Sequence, residues 1–228
     1  QQAALFGQAC FGAGDAKCTF GTGSFLLMNT GSTPCLSQHG LLATVAWQLP
    51  QGAAYALDGG IFVTGAAVQW LAETMHLLPD VGASADMAAA SAGGVTFVPA
   101  LAGLAAPHWR PDMRGAMFGL TRATTPGDIA RATLEGIACR VYDVTQAMQA
   151  DAGTRLPRLK VDGGASANAY LMQCVADMLA VEVDVASSTE ATAIGVANLA
   201  EHAAFGVGLA DLARRWRSAV AYTPRLSP

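Results

Sequence analysis

The spacing of the apolar residues changes partway along this 228-residue chain, and that change limits the folds open to it. Up to about residue 61 the chain is typical of short strands separated by turns. The clearest hairpin, at 18–29, surrounds Gly21-Thr22-Gly23. From about residue 65, apolar residues recur at helical spacing, and strands then alternate with helices. This order predicts an α/β domain whose mixed sheet is flanked by helices.

Local signals place the individual elements. The longest helix is predicted between Thr125, which offers a capping hydroxyl before Pro126, and Gly153, which closes it. Further helices are predicted at 65–78, 84–92, 166–179, 190–204 and 210–220, and further strands at 41–47, 53–57, 94–99, 115–120, 159–161 and 181–185. No linker rich in Pro, Gly or Ser divides the chain, so one domain over residues 1–228 is expected.

The composition excludes several classes of protein. Hydrophobic residues make up 52% of the chain and charged residues only 13%, about half the usual share. No apolar run reaches the length of a membrane helix, so the excess points to alanine content and to a face hidden against another domain. A net charge of −4 without a basic stripe argues against nucleic acid. Five cysteines without a CxxC pair predict neither a disulfide framework nor a zinc site, and favour the cytoplasm.

Three glycine turns could bind an anion. Glycine lets backbone N–H groups approach a phosphate, and a following helix N-terminus adds partial positive charge. In the first turn Thr22 also offers a hydroxyl. In the other two, an amide side chain follows a glycine by four residues, one helical turn, and should face the same side. The candidate residues are Thr22, Gly65, Gln69, Gly163, Gly164 and Asn168.

Taken singly, each of these turns is weak evidence, because glycine in a hairpin is in most cases only a turn. Neither GxxxxGK[ST] nor GxGxxG occurs, which excludes a P-loop and a dinucleotide fold. Asp15, Asp58 and Asp162 lie near turns and are interpreted as capping or turn residues. From the residues alone, no catalytic acid and no metal ligand is assigned.

Several segments in order resemble the FGGY family of carbohydrate kinases. Gly115–Leu120, a seven-residue spacer and Asp128–Glu135 match the C-terminal signature of that family. The segments 55–59, 69–71, 104–109 and 161–165 are similar to its glycerol kinases in particular. His108 and Arg110 depart from the pattern, since an aromatic residue and an acid are common there.

The resemblance implies a fold and separate binding roles for two lobes. Members have two lobes of actin-like, ribonuclease-H-like fold with the active site between them. This chain would be the C-terminal, nucleotide-binding lobe without the N-terminal substrate lobe. Thr22, Gly65, Gln69, Gly163, Gly164 and Asn168 would bind the nucleotide, and Gln1 and Phe25 would contact glycerol. Without the resemblance, Phe25 is interpreted as a core aromatic and Gln1 as a disordered terminus.

The resemblance also implies a reaction: transfer of the γ-phosphate of ATP to glycerol, with Mg²⁺ neutralising charge. The family's general base would stand immediately before Gln1, and the Mg²⁺-binding acid would belong to the other lobe. The isolated chain is therefore expected to be inactive, and the intact enzyme to be a homo-oligomer, a dimer. Two alternatives stay open: a kinase for another polyol or sugar, and a stand-alone nucleotide-binding module without catalysis.

Overall fold

The computed structural model of the protein describes residues 1–91 and 93–225. Its strands are Ala16–Phe20 (β1), Ser24–Gly31 (β2), Leu42–Leu49 (β3), Gly52–Ile61 (β4), Thr96–Val98 (β5), Ala116–Phe118 (β6), Arg158–Asp162 (β7), Glu182–Ala186 (β8) and Ser218–Tyr222 (β9). Its helices are Gln2–Gly7 (α1), Gly65–Gln69 (α2), Ser84–Ala89 (α3), Pro126–Ala152 (α4), Ala169–Leu179 (α5), Ala191–Phe205 (α6) and Leu209–Arg215 (α7). A π-helical turn at Trp70–Thr74 continues α2, and a 3₁₀ turn at Gly164–Ala167 precedes α5.

Seven strands form one mixed sheet in the order β3-β4-β2-β1-β7-β8-β9. The pairs on the β3 side of β1 are antiparallel, β7 runs parallel to both β1 and β8, and β9 is antiparallel to β8. The predicted mixed sheet is therefore confirmed. β5 and β6 pair only with each other, in a separate two-stranded sheet.

Helices cover both faces of the sheet, so successive residues of β2 enter different apolar clusters. Leu26 and Met28 pack in the larger cluster with residues of α4 and α5. Leu27 packs on the opposite face with Leu5 and Phe6 of α1. A strand buried on both faces has a continuous apolar run, which explains why residues 26–28 show no polar alternation.

The two ends of α4 follow the local sequence signals. The Thr125 hydroxyl accepts from the Asp128 amide, and the Asp128 carboxylate accepts from the Thr125 amide, which together form a capping box. Pro126 begins the helix, and Gly153 ends it in the left-handed conformation. This prediction is confirmed.

On the opposite side of the sheet, α1 and α6 cross at a pair of glycines. A Cβ atom on Gly7 would overlap the carbonyl oxygen of Ala191, and one on Gly195 would overlap that of Ala3. The two backbones therefore touch directly. Along the rest of α6, Ile194, Val196 and Phe205 leave large apolar side chains exposed.

The sequence predictions differ from the structure at several element ends. The helix predicted at 65–78 ends at residue 74, where the Met75 amide donates to the Trp70 carbonyl in a wider, π-helical turn. The helix predicted at 210–220 is wrong beyond Arg215, because residues 218–222 form β9 at the sheet edge. α1 was not predicted. The helix predicted at 84–92 ends at Ala89, and residue 92 lies outside the described residues.

Candidate functional site

The β1–β2 turn lies directly against the start of α2. The Gly65 amide donates to the Gly21 carbonyl at 3.0 Å, and the Thr64 and Ala66 amides donate to the Thr22 carbonyl at 3.0 and 3.1 Å. The structure thus brings two of the three predicted glycine turns together, with Thr22 exposed beside the helix start. The amides of Thr64, Gly65 and Ala66 therefore already donate within the protein, and an anion site at this corner stays a prediction.

Close packing explains the glycine that begins α2. A Cβ atom on Gly65 would lie 2.6 Å from the Gly21 carbonyl oxygen, closer than real Cβ atoms come to an oxygen. Gln69 lies at the end of α2, one helical turn after Gly65, and is exposed. Thr22 and Gln69 are therefore exposed polar residues on either side of the helix start.

The two glycines after β7 differ in what they do. Gly163 has φ +89° and ψ 166°, and a Cβ atom there would overlap the carbonyl oxygen of Phe20 in the neighbouring strand. Gly164 is exposed, and a Cβ atom there would meet no atom within 4 Å. Gly163 is thus required at the junction of the two strands, whereas the backbone of Gly164 is open to solvent.

Asn168 is a helix cap rather than a residue one α-turn after Gly164. Its Oδ1 accepts from the Leu171 amide at 2.9 Å, and its Nδ2 donates to the Ser84 hydroxyl at 3.0 Å. The segment before it is 3₁₀, and Asn168 itself is extended, with ψ 103°. The predicted helix from residue 166 therefore begins at 169, because the Asn168 side chain satisfies one of the first unpaired N–H groups of α5, that of Leu171.

A cavity of about 160 Å³ joins three of the predicted nucleotide residues. Gly65, Gly164 and Asn168 line it, together with residues of α3 and α4. Its other walls are mainly apolar and include Leu134 and Ile137. Thr22 lies beside Gly65, with its Cα 3.9 Å from the Cβ position of that glycine. An apolar cavity edged by a few polar groups is typical of a small-molecule site, and this volume suits part of a ligand.

A larger cavity of about 530 Å³ lies next to it, on the other side of Ala85. Arg131 and Glu135 line it and form an ion pair of 2.8 Å, and the Tyr170 hydroxyl donates to Glu135 at 3.0 Å. Sequence reasoning missed this feature. The signal was the four-residue spacing of Arg131 and Glu135 within the predicted long helix.

Phe25 lies on β2 with 41% of its surface exposed, which overturns its interpretation as a core aromatic. Its ring lies over Gly60 of β4, where a Cβ atom would be 3.5 Å from Cε1 of the ring. Gln1 is described as the N-cap of α1, and its carbonyl accepts from the Leu5 amide at 3.1 Å. The disorder expected for an isolated terminus is therefore not observed.

A buried lysine and two aspartates lie beneath Phe25. Lys17 is fully buried and donates from Nζ to Thr19 Oγ1 at 3.0 Å and to the Phe25 carbonyl at 3.1 Å. The Thr19 hydroxyl donates in turn to Asp162 Oδ1 at 2.7 Å. Asp58 lies on β4, in register with Leu27 and so on the same sheet face as Lys17. Asp58 and Asp162 are strand residues, so their interpretation as capping or turn residues is wrong.

Burial dominates the ionisation of this cluster. Desolvation lowers the pKa of Lys17, and the nearby carboxylates of Asp162 and Asp58 oppose that change. Desolvation raises the pKa of Asp58 and of Asp162, and Lys17 opposes both changes. The opposite charges therefore stabilise one another in a place where each alone would tend to be neutral.

Two negative findings concern the described part of the chain. Among residues 1–91 and 93–225, no group of three His, Cys, Asp or Glu side chains is arranged to hold a metal ion. Within those same ranges, none of the helices combines the length and the apolar character needed to span a bilayer.

Comparison with known proteins gives one consistent family. A profile of the C-terminal domain of the FGGY family of carbohydrate kinases matches residues 16–204. The glycerol kinase of Myxococcus xanthus is 48% identical over 100% of this chain and 47% of its own length, and that of Halalkalibacterium halodurans is 52% identical over 88% and 41%. The chain spans about half the length of the curated relatives it matches.

Solved structures agree with the sequence relatives. The crystal structure of Plasmodium falciparum glycerol kinase with ADP superposes with a TM-score of 0.91 and 35% identity, over 100% of this chain and 46% of that one. A xylulose kinase from Lactobacillus acidophilus, at 20% identity, has a TM-score of 0.86 over 98% of this chain and 45% of its own, and is alike in fold. The predicted actin-like, ribonuclease-H-like fold is confirmed.

Proposed function

Because this chain belongs to the FGGY family of carbohydrate kinases, we propose that it is the nucleotide-binding half of a kinase that transfers the γ-phosphate of ATP to glycerol. The observation that carries the proposal is an identity of about one half with glycerol kinases across the chain. Two xylulose kinases and a gluconate kinase of known structure share 20–24% identity with the chain, which bears on the fold but not on the substrate.

The geometry supports a nucleotide site where three predicted residues meet. Gly65, Gly164 and Asn168 share one cavity, and Gly164 leaves its backbone open to a ligand. Thr22 offers an exposed hydroxyl beside Gly65 for a phosphate oxygen, and Gln69 offers an amide one turn further on. In this proposal Gly163 contributes by holding the turn in place rather than by touching the nucleotide.

Gln1 and Phe25 are proposed to contact the polyol. The exposed face of Phe25 supplies an apolar surface for the carbon chain, and Gln1 supplies an amide for hydroxyl groups. Phosphoryl transfer depends mainly on such positioning and on charge neutralisation. We propose that Mg²⁺ enters with the ATP phosphates, as is common in kinases. No residue of this chain is assigned as a Mg²⁺ ligand or as the general base.

The exposed apolar side chains of α6 suggest where the rest of the kinase packs. The matched relatives are about twice the length of this chain, and α6 leaves the apolar side chains of Ile194, Val196 and Phe205 exposed. Exposed apolar side chains of this size are often covered by a second domain. We infer that part of α6 faces the other, substrate-binding lobe. We further propose that the full-length enzyme is a cytoplasmic dimer.

A substrate panel tests the function. The full-length protein is incubated with MgATP and with glycerol, xylulose or gluconate, and ADP formation is measured. The proposal predicts that kcat/KM for glycerol exceeds that for the other two by at least a hundredfold. A higher kcat/KM for xylulose or gluconate would make that compound, rather than glycerol, the substrate. Binding of ADP without phosphorylation of any of the three compounds would favour a nucleotide-binding module without catalysis.

A further inference from the structure

The side chain of Lys17 is a cation placed inside the sheet domain. It is 0% exposed, although lysine is almost never fully buried unless it is paired. Removing an ammonium group from water is costly, and the hydrogen bonds to Thr19 and to the Phe25 carbonyl offset that cost only in part. Because burying this ammonium group is unfavourable, packing alone does not explain why a lysine occupies this position.

The carboxylates that balance Lys17 come from both neighbouring parts of the sheet. Thr19 connects the amine to Asp162 on β7 through two hydrogen bonds of 3.0 and 2.7 Å. Asp58 on β4 lies to the other side, across β2, because Leu27 pairs with both Lys17 and Asp58. Lys17 thus has a carboxylate on either side of it along the sheet, and its connection by hydrogen bonds runs to Asp162.

Phe25 is fixed by this arrangement at its main chain and supported at its ring. The Lys17 amine binds its carbonyl at 3.1 Å, and Gly60 of β4 lies under its ring at van der Waals distance. The opposite face of the ring is exposed. A displacement of the Phe25 main chain would therefore move the surface that this ring presents to a ligand.

The buried cluster is separate from the candidate nucleotide cavity. The cavity shared by Gly65, Gly164 and Asn168 is lined by none of Lys17, Asp58 and Asp162.

We propose that Lys17 is a positioning residue for the polyol substrate: it holds the main chain of Phe25, with Thr19 and Asp162 holding the amine in turn. The inference rests on the proposed function, since it concerns the same site. Lys17 does not touch the substrate, because it is fully buried. Its effect is on the polyol and not on the nucleotide, since misplacing a positioning group weakens the binding and orientation of the ligand that it faces.

The test replaces Lys17 by Met in the full-length protein, which keeps an unbranched apolar stem but removes the donor. Steady-state kinetics with glycerol and ATP varied separately are expected to show a rise of at least tenfold in the KM for glycerol and a change of less than twofold in the KM for ATP. A general loss of structure would raise both values or lower the amount of active enzyme without this split.

Lys160 provides a matched control. It pairs with Lys17 in register on β7, but its amine donates to the Gln8 and Ala9 carbonyls at 2.7 and 3.3 Å and lies over the Trp216 ring. Lys160→Met removes the same side chain from the adjacent strand, and the KM for glycerol should stay within twofold of the unsubstituted value. An equal rise in both variants would overturn the positioning role.

A second variant decides the matter if Lys17→Met does not fold. Thr19→Val keeps the shape of the side chain and removes only the hydroxyl between Lys17 and Asp162. It should raise the KM for glycerol at least threefold, with MgADP affinity unchanged. An unchanged glycerol KM in the folded variants overturns the inference alone, whereas an unsubstituted protein that does not phosphorylate glycerol overturns the proposed function and the inference with it.

Discussion

Substitution of the two adjacent glycines after β7 should change the stability of the fold by very different amounts. Gly163 has a backbone conformation that is essentially restricted to glycine, and a Cβ atom there would overlap the Phe20 carbonyl oxygen of β1. Gly164 has open space at its Cβ position. We therefore expect Gly163→Ala to destabilise the fold, and Gly164→Ala to leave it nearly unchanged.

The expected loss of stability in Gly163→Ala is the sum of two contributions. A non-glycine residue in this region of φ and ψ costs about 1–3 kcal/mol. Relieving the overlap with Phe20 requires β1 and the end of β7 to separate, and overpacking of this kind costs about 1–3 kcal/mol more. The sum is about 2–6 kcal/mol for Gly163→Ala. At Gly164 neither contribution applies, so the expected change is within about 0.5 kcal/mol, as for other exposed sites.

Denaturant unfolding measures the difference in stability, and calorimetric titration with MgADP measures the nucleotide affinity of each variant. Gly164→Val should keep its unfolding midpoint close to that of the unsubstituted protein, yet weaken MgADP at least tenfold, or about 1.4 kcal/mol. The reason is that its side chain would occupy backbone surface that the proposal gives to the nucleotide. The free energy of unfolding of Gly164→Val serves as the control for the binding measurement.

Two results would refute this reasoning in separate ways. Equal losses of stability in Gly163→Ala and Gly164→Ala would mean that the close approach to Phe20 does not restrict the turn. Unchanged MgADP affinity in Gly164→Val would remove Gly164 from the nucleotide site and leave the 160 Å³ cavity without that role.

Two further predictions concern stability. Gly195→Ala should lower the free energy of unfolding by about 3 kcal/mol, because its methyl group would overlap the Ala3 carbonyl in α1. The control Gly206→Ala has open space at the Cβ position but φ +68°, and it should lower the free energy of unfolding by only about 1 kcal/mol. Similar melting temperatures for the two variants would contradict the close crossing of α1 and α6. Hydrogen bonds from Ser91 and Thr125 hold the pKa of Asp128 at about 2, below its usual 3.8, so the stabilisation by this carboxylate is present above pH 3.8 and is lost as the pH falls through about 2. Acid titration of unfolding should show a smaller loss over that range in Asp128→Asn, and an identical curve would contradict the capping role.

Sequence reasoning succeeded where the signal was local. Thr125, Pro126 and Gly153 mark the ends of α4 by chemistry that acts within a few residues. The helix predicted at 210–220 was wrong at its end because residues 218–222 pair with β8, a distant strand that their own sequence does not reveal. The helix predicted at 65–78 ends early in a π-helical turn. Gly65 was selected as an anion-binding residue, and the structure explains it by its approach to Gly21, which lies 44 positions earlier.

The buried cluster could not be predicted, because strands far apart in the sequence assemble it. Lys17, Asp58 and Asp162 meet only after three strand pairings fix their register. In the sequence each of the two aspartates precedes a pair of glycines, which favours a turn. The shared face of β1, β4 and β7 is a property of the whole sheet, and no short segment carries it.

The strand order has a consequence for the time course of synthesis. β1 pairs with β2 after a three-residue turn, but its partner on the other side, β7, follows about 140 residues later. At roughly 5–20 residues per second, a ribosome needs roughly 7–28 s to make that stretch. During this interval the inner edge of β1 has no strand beside it, and such an edge readily pairs with another chain. The nascent protein therefore carries an aggregation hazard in the middle of its own sheet, at a strand that has a partner on both sides once folding is complete.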